Sequence, residues 1–108
     1  MSKFSHAILV ATVSFFLSSS IFAVEGDANR GRIKAETCLG CHGIASYTNA
    51  YPTYNVPKVG GQHEEYIISA LQAYRAGSRP HGTMQANAIS LTDQDIADIA
   101  VYFSTYGK

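Results

Sequence analysis

The sequence predicts an all-α domain in which three main helices and long loops wrap around a large apolar guest. Two observations give the helices: apolar positions recur at helical spacing in three stretches, and no stretch alternates apolar and polar residues long enough for a sheet. A third gives the guest, because helices this few, with small residues on the first, cannot fill a core from their own side chains. The chain has 108 residues, enough for one small domain and too few for a multi-domain enzyme carrying its own cofactor domain. Charged residues are 15% of the chain and the formal charge is zero, which excludes a nucleic-acid partner held by a basic surface.

Residues 1–23 carry the order of a secretory signal peptide. Lys3 is followed by the apolar run Ala7–Leu17, then Ser18, Ser19 and Ser20, then Ile21-Phe22-Ala23. That run is too short to cross about 30 Å of hydrocarbon at 1.5 Å per residue. Cleavage after Ala23 is expected, leaving residues 24–108 as the mature domain with no membrane span.

The first helix is expected from Asp27 to about Leu39, with Ala28, Gly31, Ala35 and Leu39 on a slim face and Asp27 capping the first turn. The second runs from Gln62 to Ala76 on the stripe Tyr66/Ile67, Ala70/Leu71 and Tyr74; Gly77 and Pro80 stop it. The third follows the cap Thr92, with Asp93 and Asp95 in its first turn and Ile96, Ile99, Ala100 and Phe103 on one face, ending before Gly107. Gly43–Gly61 and Gly77–Leu91 remain as ordered loops, long for so small a domain.

Cys38-Leu39-Gly40-Cys41-His42 is C-x-x-C-H, the attachment sequence of c-type haem. Two thiols three residues apart share one helical turn, so each can add to a vinyl group, and the adjoining His lies under the iron as proximal ligand. Competing readings fit less of the sequence. A redox dithiol expects a βαβ surround. A zinc site needs two more ligands at H-x(3–5)-H spacing, whereas the remaining His63 and His81 are 18 residues apart. A plain disulfide leaves His42 and the unfilled core without a reason. The mature chain offers one Met, Met84, in the loop Pro80-His-Gly-Thr-Met84, and its thioether is the expected second axial ligand. His63 and His81 are expected on the exposed surface.

With Cys-Leu-Gly-Cys-His-Gly at 38–43, Pro57-Lys-Val-Gly-Gly-Gln62, Tyr66–Arg79, Met84 and Leu91–Phe103, the chain resembles class I c-type cytochromes, the bacterial c-four and c-five subfamilies nearest. The resemblance covers Asp27 to Phe103. It implies the class I cytochrome c fold with one covalently bound haem c, Cys38 and Cys41 as thioether sites, and His42 and Met84 as axial ligands. It also implies that the Pro57 carbonyl accepts the N–H of His42, and that Gly31 and Ala35 form the face where the first helix crosses the last at Tyr102 or Phe103. Arg79 matches a basic position that would lie near a haem propionate. The chain departs from the resemblance in having one domain where c-four proteins have two, and in its Tyr-rich loop. Tyr47, Tyr51 and Tyr54 are read as packing at the haem edge.

The expected function is that of an exported, periplasmic monohaem cytochrome carrying single electrons between transient protein donors and acceptors. It would be no enzyme, because both axial positions are filled. The alternative is a haem c electron-transfer subunit of a larger periplasmic oxidoreductase, with tyrosines 47, 51, 54 and 106 lining the interface.

Overall fold

The computed structural model describes residues 23–106; the signal peptide read over residues 1–23 lies outside them except for Ala23. The elements run α1 (Ala28–Lys34), α2 (Glu36–His42), β1 (Thr48–Ala50), β2 (Thr53–Asn55), α3 (Glu64–Ala76), α4 (Gly82–Ala88) and α5 (Asp93–Thr105). Among the described residues no helix is long and apolar enough to cross a membrane.

The helix expected over Asp27–Leu39 is two helices. The Asp27 side chain caps α1 by accepting from the backbone N–H of Arg30, as its residue type predicts. The break falls at Ala35, fully buried, whose ψ of 0° departs from the roughly −42° of a continuing helix. Hydrogen bonds from Ala35 N–H to the Gly31 carbonyl and from Leu39 N–H to the Ala35 carbonyl run across it. The second half, α2, carries the whole C-x-x-C-H motif.

α3 and α5 follow their sequence signals closely. Gly77 takes the left-handed conformation, φ 78°, that ends α3, where a side chain would be strained. Thr92 and Asp95 form a reciprocal capping box at the start of α5. α5 is the central element: Ile96, Ala97, Ile99, Ala100 and Phe103 are buried. It packs against α1 on one side and α3 on another. Gly31 makes the α1 crossing possible, since a Cβ there would collide with the Asp98 carbonyl and come within 2.8 Å of Tyr102 Cβ. At Gly31 the crossing therefore meets Asp98 and Tyr102, the expected Tyr102 among its contacts.

The two expected loops contain structure of their own. β1 and β2 pair antiparallel, Thr48 opposite Asn55 and Ala50 opposite Thr53, closed by a hydrogen bond from Val56 N–H to the Tyr47 carbonyl. Each strand has three residues and only its central one, Asn49 or Tyr54, is half-buried, too little to produce a readable alternation. α4 holds Met84, so that residue sits on a helix and not in a loop. Pro80, Gly82 and Asn87, all poor helix formers, hide this turn in the sequence.

The core cluster joins Ala35, Ile67, Ile99, Ala100 and Phe103. With two alanines among five members it is thin, and Leu39, Leu71 and Leu91 are only partly buried around it. The space they leave is the site.

Candidate haem site

A cavity of about 310 Å³ opens between α2, the hairpin, α3, α4 and α5. Thr37, Cys38, Cys41 and His42 form one wall, Ile67, Ala70, Leu71 and Tyr74 of α3 another, and Ile99 and Phe103 of α5 close it against the core. Met84 reaches it from α4, and Pro57 lines it from the segment after β2. All five residues singled out as site residues, Cys38, Cys41, His42, Pro57 and Met84, thus line one cavity although they span 47 positions of sequence.

The local chemistry follows from the placement. Cys38 and Cys41 are free thiols, both half-buried, one helical turn apart. Burial pushes the Cys38 thiol above the ordinary thiol range, so it is held protonated. His42 is the last residue of α2, and its Nδ1 lies 2.6 Å from the Pro57 carbonyl oxygen. A carbonyl only accepts, so Nδ1–H is the donor and the lone pair of the neutral ring is on Nε2. The His42–Pro57 bond expected from the resemblance is present.

On the α4 side, Met84 is half-buried and its backbone N–H donates to Nδ1 of His81 at 3.4 Å, with His81 as the N-cap of α4. His81 is not the surface residue expected from its type. It is half-buried, with its ring edge-on to Tyr54 at 4.8 Å and to Tyr74 at 6.4 Å. The cap and the aromatic contacts hold it there. Asn87 and Thr83, to which the sequence drew no attention, also line the cavity.

Of the three loop tyrosines, only Tyr54 lines the cavity, with its hydroxyl donating to Thr83 Oγ1 at 2.9 Å. Tyr51 is 95% exposed in the turn between the strands, and Tyr47 is half-buried at the base of the hairpin. The reading of all three as packing at one site is corrected: Tyr47 and Tyr51 do not line the cavity. Strand alternation explains it, since Tyr54 is the one inward residue of β2. Arg79 does lie on the cavity wall, its guanidinium 4.7 Å above the Tyr74 ring and its Nη1 donating to the Tyr66 hydroxyl at 3.3 Å.

The donor set fits haem c. The walls are chiefly aliphatic and aromatic, two thiols share one helical face for covalent attachment, and an imidazole nitrogen and a thioether come from different elements.

Comparison with known proteins agrees with this geometry. Residues 30–106 match the Cytochrome c family profile. Cytochrome c-554(548) of Halomonas halodenitrificans is 43% identical over 83 residues, covering 74% of this chain and 96% of that protein. The cytochrome subunit of sulfide dehydrogenase of Chlorobaculum tepidum is 32% identical, covering 94% of this chain and 97% of that protein. The crystal structure of reduced recombinant cytochrome c4 from Pseudomonas stutzeri superposes with a TM-score of 0.62 at 38% identity, covering 75% of this chain and 46% of that one. The chain spans 38% to 53% of the length of the cytochrome c4 proteins it matches. The family profile, the similarity over nearly the full length of shorter relatives and the shared fold place this chain in the cytochrome c family, whose prosthetic group is covalently attached haem c.

Proposed function

We propose that the mature chain, residues 24–108, is a periplasmic monohaem electron carrier, exported by the cleaved signal peptide of residues 1–23, with Cys38 and Cys41 as thioether sites and His42 and Met84 as axial ligands. The observation that carries the reading is the convergence of these four side chains on one apolar cavity, with the His42 ring fixed by Pro57. Haem c supplies a one-electron Fe(III)/Fe(II) couple.

The chain's own residues tune that couple. The Pro57 carbonyl holds the His42 tautomer with Nε2 free to bind metal and fixes the orientation of the ring. Met84 offers a neutral thioether, which favours the reduced state and raises the potential. Ile67, Leu71, Ile99 and Phe103 keep water from the interior. One-electron transfer at such a site requires no side chain to gain or lose a proton.

Partners are redox proteins that dock weakly, in keeping with a surface of balanced charge. A subunit role in a larger oxidoreductase is the second reading. Similarity to the sulfide dehydrogenase cytochrome subunit over nearly its whole length favours it, as does the exposed Tyr51.

The test is the protein matured in a host with haem c assembly machinery. Bound haem c in a pyridine haemochrome, the weak near-infrared band of Met–Fe(III) ligation and a reversible one-electron voltammetric wave are expected. Covalent haem without that band would overturn the Met84 assignment. Size-exclusion chromatography separates the two readings: a stable, non-aggregating monomer supports the free carrier.

A further inference from the structure

We propose that Tyr54 and His81 are positioning residues that clasp the hairpin to α4 and so hold Met84 at the haem; this rests on the reading of Met84 as axial ligand. Three contacts converge on one short stretch. The Tyr54 hydroxyl donates to Thr83, the residue before Met84, at 2.9 Å across 29 residues of sequence. The Tyr54 ring meets the His81 ring edge-on at 4.8 Å. His81 Nδ1 accepts the backbone N–H of Met84 itself.

α4 needs such a clasp. It has only seven residues, with Gly82 at its start, no acidic residue in its first turn and no basic residue in its last, so its intrinsic stability is small. Of its residues only Ala88, at the far end from Met84, is buried. The Met84 end is tied down instead by the hairpin, through an aromatic pair and a hydroxyl bond, and by Tyr74 of α3, whose ring stands edge-on to His81 at 6.4 Å. The hairpin is well placed to serve as an anchor. Its strands are cross-linked by Thr48 to Asn55, and Asn49 donates to the Pro52 carbonyl at 2.7 Å.

A clasp on a metal-binding side chain is read by how easily an outside ligand displaces that side chain. Loosening α4 raises the population in which Met84 is off the iron, and the apparent affinity of the ferric protein for imidazole rises in proportion. One neutral hydrogen bond corresponds to about a fivefold change.

The experiment is imidazole titration of the haem-loaded ferric protein, followed in the near-infrared band. Tyr54→Phe and Thr83→Val, which keep shape and delete one partner each, are expected to raise imidazole affinity about fivefold apiece. The double variant is expected to do no more than either alone, because both remove the same bond. His81→Ala should raise affinity, and His81→Asn should restore part of the loss by keeping a side-chain acceptor at the cap. Asp98→Asn, which weakens the α1–α5 seam away from α4, should lower thermal stability and leave imidazole affinity unchanged. Unchanged affinity in Tyr54→Phe and Thr83→Val would overturn the clasp while leaving the ligand assignment intact. Absence of the near-infrared band from the haem-loaded wild-type protein would overturn the ligand assignment, and the clasp with it.

Discussion

The backbone N–H of Asp27 donates to the Asp98 carboxylate at 2.7 Å, joining residues 71 apart in sequence. Asp98 is 1% exposed, and its oxygens also take Arg30 Nε at 2.8 Å, Arg30 Nη2 at 3.0 Å and Gln94 Nε2 at 2.9 Å. One carboxylate thus satisfies the start of α1 and joins it to α5 beside the Gly31 crossing. Asp98→Asn keeps the volume but loses the charge and at least one acceptor site. The variant is expected to lose about 2 kcal/mol, on the order of 10 °C in Tm for a domain this small. Circular dichroism melting of the haem-loaded protein checks this, and a change below about 0.5 kcal/mol would refute the role.

The same carboxylate gives a pH dependence. Hydrogen bonding from the Arg30 guanidinium, foremost, holds the Asp98 carboxyl down to about 2, below the ordinary value of about 3.9. The ionised form is therefore favoured by folding. Its contribution is complete above about pH 5 and is lost as the pH falls toward 2. Denaturant midpoints measured from pH 6 down to pH 2 should fall for the wild-type protein and fall less steeply for Asp98→Asn. Parallel curves would show that Asp98 is not the group responsible.

The role of Asp98 also marks a limit of what the sequence makes legible. α5 announces itself through Thr92, Asp95 and the face Ile96, Ile99, Ala100 and Phe103, yet nothing in that pattern says that Asp98 points inward. Only the tertiary approach of Asp27 and Arg30 creates its partners. The four side chains proposed to hold the haem stand out in the sequence because C-x-x-C-H is a local motif and residues 24–108 hold a single Met. The frame that presents them was not. The hairpin strands are too short to alternate, and α4 is built from residues that favour turns, so contacts with the rest of the fold decide both. His81 shows the same effect: its residue type suggests the surface, and the cap it forms on α4 draws it in.

Cys38 and Cys41 differ in a way that predicts unequal roles. Cys38 packs against the core cluster beside Leu39, and its thiol is raised by burial. Cys38→Ala is expected to leave a single thioether through Cys41, lower the yield of mature protein and move the reduced pyridine haemochrome band to longer wavelength, because one vinyl group stays conjugated. Denaturing electrophoresis with haem staining reads the remaining link. A band position identical to that of the wild type would show that Cys38 forms no thioether bond.

Met84 carries the sharpest prediction because the thioether is expected to set the potential. The Ala variant removes the neutral sulfur donor and leaves the α4 backbone and the His81 cap in place, so the cavity wall persists while the sixth position opens. The near-infrared band should vanish, the ferric spectrum should become high-spin or ligand-exchanging, and the potential should fall by at least about 0.1 V, a modest part of the roughly 0.8 V that axial ligands span. Voltammetry of the two proteins under identical conditions measures the fall. A wild-type protein without that band, and a potential unchanged in the Ala variant, would mean that another group binds the iron, and would turn attention to His81, whose ring also lines the cavity.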